Sequence, residues 1–566
     1  MDRNTEAFYT GAELHEGIQR STWPRPFTYK GTFNTGEIVP FFCDLDVLPG
    51  MTIKNTSSFV IRMNTPKYPT MDNLYLDTYW FKIPYRTIWK NWCSFNGENE
   101  SGAWTISTEK EIPMFKTDDT HKIGIHDINC HMGLRPLSKI KEFSQMGVRA
   151  YIRTYNYWFR DQNLIAPLTM YDDDSDRTID GTALTGGTML KAAKFHDYFS
   201  SALPEAQKGE AVSTPLGLSA PVNIYPGTNS SPGIQIQNRT MRFAVYPNGN
   251  STSNTVTLAS RYVTNETGSP LFYANGDTLN GRDVSTQYSN NNANQHPLVY
   301  RDGLTGVADL TNATASTINA LRLAFATQRI FEHDAMFGTR YLQETVGRFG
   351  VNARFDEVIP EYLGGQRIPL NIQQTIQNSS TDATSPLGFT GAFSVTANTN
   401  EDFVKSFQEH CVVLGLAVVR ADHTYQQGVA RQWTRKRRLD FYWPELSHIG
   451  NQPIYNYEIF SDGSNTDDEV FGYKEAWAEY KYKNSVICGE LNSEYPQSLD
   501  AWHYGDDYSS VPVLSQSWIE EPSDFVDRTL LVQSSTHDQF TADIFIEQTI
   551  TAPMPIHCNP GLVDHF

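Results

Sequence analysis

Hydrophobic residues along this chain follow two periods. Phe59, Ile61 and Met63 alternate with Val60, Arg62 and Asn64, the period-2 pattern of a strand with one buried face. After the turn-rich TPKYPTMDN comes LYLDTYWFKI, whose aromatic and β-branched residues predict a second strand of the same sandwich. CVVLGLAVVR (411–420) carries no polar side chain before Arg420, as a strand covered on both sides would. Phe540, Ala542, Ile544 and Ile546 alternate with Thr541, Asp543, Phe545 and Glu547, another half-buried strand. Helical spacing joins Ile88, Trp89, Trp92 and Phe95, and again Val148, Tyr151, Ile152, Tyr155, Trp158 and Phe159. A third helix is predicted after Ser316 as N-cap, burying Ile318, Leu321, Phe325 and Phe331. A fourth, RYLQETVGRF (340–349), would close on Gly350. Strands thus gather at both ends, with helical and irregular matter between.

Composition sharpens this picture. Of 566 residues, 13% are aromatic and only 19% charged, which favours a β-rich protein with large buried or inter-subunit surfaces. Residues 226–315 hold no Trp, Lys or Cys but runs such as YSNNNANQ. That composition builds little core and predicts one long surface excursion. The net charge of −19 argues against a chain whose whole surface binds nucleic acid, so any such contact must be local. The polar N-terminus lacks a signal-peptide core, the six cysteines form no C-x-x-C pair, and no apolar run reaches membrane-helix length. These features predict a protein made without an export signal and not inserted in a membrane.

Catalytic patterns are weak. No phosphate-binding loop, G-x-S-x-G or H-E-x-x-H is present. The pairs His126-Asp127, His196-Asp197 and His333-Asp334 are sequence neighbours, which do not face each other on a helix or a strand. DDDSD (172–176) resembles a calcium loop, yet Arg177 stands where the sharp-turn Gly belongs and Ala183 where the bidentate acid should be. His121, His126, Cys130 and His131 match no zinc spacing. One basic cluster stands out: Arg431, Arg435, Lys436, Arg437 and Arg438 with Trp433, Phe441, Tyr442 and Trp443 nearby. Cations interleaved with stackable rings suit single-stranded nucleic acid, and the same arginines could instead pair with carboxylates of a neighbouring chain.

Several blocks then resemble one family. TFNTGEIVPFFCDLDVLPG (32–50), MDNLYLDTYWFKIPYRTIWKNW (71–92) and KFHDYFSSALPEAQKG (194–209) resemble the major capsid proteins of the Microviridae, single-stranded DNA bacteriophages, and most closely the gokushovirus branch. FGTRYLQETVGRFGV (337–351), PEYLGG (360–365), VVRADHTYQQG (418–428), RLDFYWPELSHIG (438–450), DDEVFGYKEAWAEYKYK (467–483), SLDAWH (498–503) and the terminal PGLVDHF continue the match in family order.

The resemblance implies a mainly β chain, an eight-stranded viral jelly roll with long loop and α-helical insertions. Over one capsid domain, 1–566, strands would fill most of 32–92 and 405–566. Helical and loop insertions would take 93–225 and 316–404, and 226–315 would be a variable insertion at each three-fold axis. It implies sixty copies in a T=1 shell around circular single-stranded DNA, found in the virion and assembled in the host cytoplasm. No enzymatic role for His196, Asp197 or Ser200 and no cofactor follow from it. Expected DNA contacts are Arg431, Trp433, Arg435, Lys436, Arg437 and Arg438 on the capsid interior. Expected contacts to a bacterial cell-surface receptor are Tyr246, Asn248, Tyr273, Tyr288 and Asn292. Small basic DNA-binding proteins and minor capsid or pilot proteins complete the implied partners. The rival readings are a phage spike or receptor-binding protein, and a secreted jelly-roll carbohydrate-binding protein or glycosidase.

Overall fold

The computed structural model describes residues 20–98, 110–210, 318–337, 358–376 and 390–557, single positions at 212, 347, 378 and 388, and the backbone of six short strands between 222 and 308. The chain divides into two compact units, Met1–Gly209 with Phe331–Phe566, and Glu210–Ile330.

In the first unit the long strands are β1 (Ser21–Phe33), β2 (Val39–Val47), β3 (Thr52–Met63), β4 (Leu74–Pro84), β5 (Glu361–Pro369), β6 (Thr396–Ser406), β7 (Cys411–Ala421) and β8 (Phe540–Ala552). They form two four-stranded antiparallel sheets, ordered β1-β8-β3-β6 and β5-β4-β7-β2. The two ends of the chain meet along β1 and β8, with Phe33 opposite Phe540 and Ser21 opposite Ala552. Alternation in β3 and β8 sends Phe59, Ile61, Ile544 and Ile546 inward. Rings join the two sheets: Phe41 of β2 meets Phe59 of β3 at 5.8 Å, and Trp80 of β4 meets Phe403 of β6 at 5.6 Å. The result is a β-sandwich with an aromatic centre. Two inward polar residues are paired within it, Gln548 donating to Asn55 at 2.9 Å and Asn55 donating to Asp402 at 2.8 Å.

A helix covers the outside of the second sheet. Helix α1 (Met146–Thr154) runs on into a π-helical turn, Tyr155–Phe159, and buries Val148, Tyr151, Ile152, Tyr155 and Phe159, while Trp158 stays exposed. The Tyr151 hydroxyl donates to the Ile38 carbonyl at 2.8 Å. This cover explains why β7 is buried on both faces, as its apolar run predicts.

Several expectations need correction. The predicted helix at 86–96 is two single turns, Tyr85–Ile88 and Trp92–Phe95, because Trp89 adopts extended backbone (φ −144°, ψ 114°) between them. From there its indole N–H donates to Asp174 at 2.7 Å. Residues 316–404, expected as helix and loop, supply β5 and β6; β6 escapes detection because TANTNEDFVKS lacks apolar alternation. Of 405–566 only β7 and β8 belong to the sandwich; 422–539 is short 3₁₀ turns, a helical turn at Gln516–Ile519 and one hairpin, Asn451–Tyr455 with Val470–Glu475. β1 starts eleven residues before the expected boundary, at Ser21 rather than Thr32. Helix α2 (Ile318–Phe337) forms where predicted, but Leu321 is 41% and Phe325 67% exposed rather than buried. The predicted helix at 340–349 lies outside the described residues apart from Gly347.

In the second unit, Val222–Pro226 pairs with Leu304–Ala308. Asn254–Leu258, Met241–Val245, Gln295–Tyr300 and Tyr273–Asn275 form a sheet in that order. The excursion at 226–315 therefore carries strand structure of its own. Among the receptor-contact candidates, Tyr273 opens a strand, and Tyr246, Asn248, Tyr288 and Asn292 lie outside the described residues.

Candidate nucleic-acid interface

Arg431 and Trp433 lie on one 3₁₀ turn, Arg431–Trp433, Arg438 opens a second, Arg438–Asp440, and Arg435, Lys436 and Arg437 lie in the irregular stretch between them. Asp440 shapes the loop: its carboxylate accepts the backbone N–H groups of Arg437 at 2.7 Å and Lys436 at 2.8 Å. Those two bonds hold its pKa below the usual carboxylate range.

The six expected contact residues divide into two sets. Arg431 and Arg435 are held within the chain. Arg431 donates to Glu458 at 2.6 Å, and Arg435 donates to Glu479 at 3.1 Å. The Arg435 guanidinium also lies 4.3 Å from the Tyr480 ring. Glu458 in turn accepts the Tyr198 hydroxyl at 3.0 Å, and burial together with that carboxylate pushes the Tyr198 phenol up. Lys436, Arg437 and Arg438 are exposed, and among the described residues none of them reaches a carboxylate within ion-pair distance. Arg438 stacks 4.5 Å from the Trp443 ring. Trp433 is 77% exposed.

A groove of about 560 Å³ adjoins this loop, lined by Trp433, Arg435, Tyr480, Tyr482 and Lys483 among others. Lys483 donates to Gln432 at 3.4 Å, tying the far wall to the basic loop. Sequence reasoning missed Glu458, Glu479, Tyr480, Tyr482 and Lys483 as site residues. The alternation of rings and cations in EYKYK (479–483) was the available signal.

The HDYFSS stretch beneath is a structural joint. Asp197 accepts from the backbone N–H groups of Phe199 and Ser200, from the Ser200 hydroxyl at 2.8 Å and from the Tyr425 hydroxyl at 2.6 Å. Lys474 donates to the carbonyls of Asp197 and Tyr198, both at 3.2 Å. His196 is exposed, and the Asp197 carboxylate is occupied by donors other than a histidine.

A second charged joint lies at the end of β7. His423, 2% exposed, bonds Glu521 at 2.9 Å through Nε2 and Asp506 at 3.1 Å through Nδ1. Burial alone would lower its pKa; the two carboxylates outweigh that and bring it from 6.5 up to about 9.

The suspected metal ligands serve other ends. Asp174 takes donors from Trp89, Asn91 and Lys110, Asp176 pairs with Lys116, and Asp173 with Arg177. His131 meets the Tyr29 hydroxyl, and His126 meets Asp538. No set of three His, Cys, Asp or Glu side chains converges on a metal position among the described residues. Nor is any helix among them long and apolar enough to cross a membrane.

Comparison with known proteins decides what this architecture belongs to. The capsid protein (F protein) family of phages matches residues 12–562. The chain belongs to that family. Capsid protein VP1 of Bdellovibrio phage phiMH2K is 35% identical over 553 residues, covering 97% of this chain and 96% of that one. Capsid protein VP1 of Chlamydia phage 1 is 34% identical over 585 residues, and that of Spiroplasma virus 4 is 35% identical over 573, each covering 96% of both chains. The F-family chain is a structural capsid protein and not an enzyme; it assembles with copies of itself and its place is the virion.

Proposed function

We propose that this chain is the shell subunit of a small icosahedral phage, sixty copies closing a T=1 capsid around circular single-stranded DNA in the host cytoplasm. The sandwich is read as a viral jelly roll. Strand order supports that reading: the first, eighth, third and sixth strands form one sheet, and the fifth, fourth, seventh and second the other, so the chain crosses between sheets in the wrapped order of a jelly roll. Symmetry closes the shell where apolar and polar contacts between copies repeat.

The groove beside 431–438 faces the interior and touches the genome. One observation carries this: Lys436, Arg437 and Arg438 are exposed and have no ion-pair partner among the described residues, next to the exposed rings of Trp433, Tyr480 and Tyr482. Cations follow a phosphate backbone and rings stack unpaired bases, which suits a single strand of any sequence. Arg431 and Arg435 shape the groove rather than neutralise phosphate. An acidic chain supplies few cations for a genome, so small basic viral proteins or polyamines share the neutralisation, and minor capsid or pilot proteins complete the particle. The insertion around 226–315 contacts the bacterial receptor, with Tyr246, Asn248, Tyr273, Tyr288 and Asn292 as contact residues.

The test is the triple variant Lys436→Ser, Arg437→Ser, Arg438→Ser. Closed particles should form in normal yield and hold less DNA by absorbance ratio, with weaker salt dependence of DNA retention. If shells fail to close while the subunit still folds, the three cations belong to a contact between copies.

A further inference from the structure

Beside the outward side of β4 and the π-helical turn Tyr155–Phe159 lies a cavity of about 360 Å³, in the size range of small-ligand pockets. Rings wall it: Tyr79 and Phe159 meet edge to face at 5.1 Å, Trp158 is 49% exposed, and Phe195 adds a fourth ring. Arg367 and Arg420 each lie 4.2 Å from the Phe195 ring. They share one buried carboxylate, Asp77, at 2.8 and 2.6 Å, so a single acid serves two guanidiniums. Two further cations on the wall have no carboxylate within ion-pair distance among the described residues. Arg160 donates to the Ile165 carbonyl, and Lys194, 5% exposed, holds Nζ 4.5 Å from the Trp518 ring. Asp506, which feels the Lys194 charge, is itself bonded to His423. Asp161, an acid on the wall, accepts the backbone N–H groups of Asn163 and Leu164, both at 2.9 Å. His196 is exposed at the mouth.

We propose that this cavity binds one nucleotide, its base laid against the rings and its phosphate held by Arg160, Lys194 and His196. An inorganic anion would use the cations and leave the rings idle. An uncharged apolar ligand would use the rings and leave the cations without a partner. A flat base carrying a phosphate uses both, by stacking and by charge. The cavity shares no lining residue with the groove beside Trp433, and it encloses a single unit where that groove follows a backbone. Its failure would therefore leave the groove reading untouched, and the reverse. A unit of an enclosed strand and a free nucleotide present the same base and phosphate, and the test separates the two.

The test is calorimetric titration of the full-length subunit with dAMP, and with deoxyadenosine and inorganic phosphate as the two halves of that ligand. One dAMP should bind per chain, and each half should bind at least about tenfold more weakly. Arg160→Gln and Trp158→Ala should each weaken dAMP by about tenfold, and Arg160→Lys should keep most of the affinity. Thermal melting of each variant checks that it is folded, and competition on the unaltered chain needs no variant at all. The groove variant Lys436→Ser, Arg437→Ser, Arg438→Ser should bind dAMP as the unaltered chain does. In that background a short deoxyadenylate strand that displaces dAMP marks the site as one for units of a strand; dAMP that stays bound marks it as one for the free nucleotide. Absence of saturable dAMP binding overturns the proposal. So does phosphate binding as tightly as dAMP, which leaves an anion site only, or loss of dAMP binding in the groove variant, which places the nucleotide in the groove.

Discussion

The sandwich and the segment 422–539 draw on apolar burial and specific polar links in different proportions. In the sandwich, rings and aliphatic side chains from two sheets interlock, with Trp80, Phe41 and Phe59 almost wholly buried. Segment 422–539 has little regular structure; it buries a smaller apolar cluster that includes Ile454, Ile459, Phe471 and Ile519, and it is also pinned by specific polar links: Arg431 to Glu458, Tyr198 to Glu458, Lys474 to the 197–198 carbonyls, and His423 to Asp506 and Glu521. Apolar burial is additive and tolerant of detail, so it gives a robust frame. Polar links demand partners at set places, so they fix one conformation of an irregular loop and fail abruptly when one partner is lost. The groove draws on both: Tyr198, Phe199 and Tyr425 of the smaller apolar cluster line it together with Arg431 and Glu458.

Breaking the frame should have the largest effect. Trp80→Ala removes an indole packed on Phe41 at 5.2 Å, Phe42 at 5.3 Å and Phe403 at 5.6 Å. A loss of about 4 kcal/mol in denaturant unfolding, with little soluble subunit, is expected. Next comes the pinned loop. Glu458→Ala leaves Arg431, 15% exposed, without its main counter-charge, and should lower stability by about 3 kcal/mol. Replacing both partners together, Arg431→Met with Glu458→Leu, should restore most of that, which a double-mutant cycle would measure. The loop should also yield to alkali. Because the folded pKa of His423 stands at about 9 and its ordinary value at 6.5, its contribution is complete below pH 6.5 and is lost as pH rises through 9. Melting temperature should therefore fall across that window, by an amount equivalent to about 3 kcal/mol, and the fall should vanish in His423→Gln. Smallest of all is the stability effect of Lys436→Ser, Arg437→Ser and Arg438→Ser, within about 0.5 kcal/mol of the unaltered subunit. A larger loss would mean the exposed cations help hold the loop.

The same contrast governs how much was legible in the sequence. β3, β4, β7 and β8 announce themselves because a buried sheet face imposes alternation or a continuous apolar run. β1 hides behind Pro24 and Pro26, residues an edge strand tolerates because alternate N–H groups point away from its neighbour. β6 hides because its inward positions include polar Thr396. Helical spacing located α2 correctly, but amphipathic spacing alone cannot say whether an apolar stripe faces its own core or another chain. At the groove, the run of cations was visible as charge. That Arg431 and Arg435 are spoken for was not, because Glu458 and Glu479 lie 27 and 44 residues further along and the loop between has no periodic pattern.

The central claim is that the groove beside Trp433 holds packaged DNA rather than a neighbouring subunit. Cryo-electron microscopy of DNA-filled and empty particles tests it most directly. The account predicts closed sixty-copy shells with the groove on the inner surface, and extra density over Trp433, Tyr480 and Lys436–Arg438 in filled particles alone. A groove filled by a neighbouring chain in both kinds of particle, or facing outward, would contradict it.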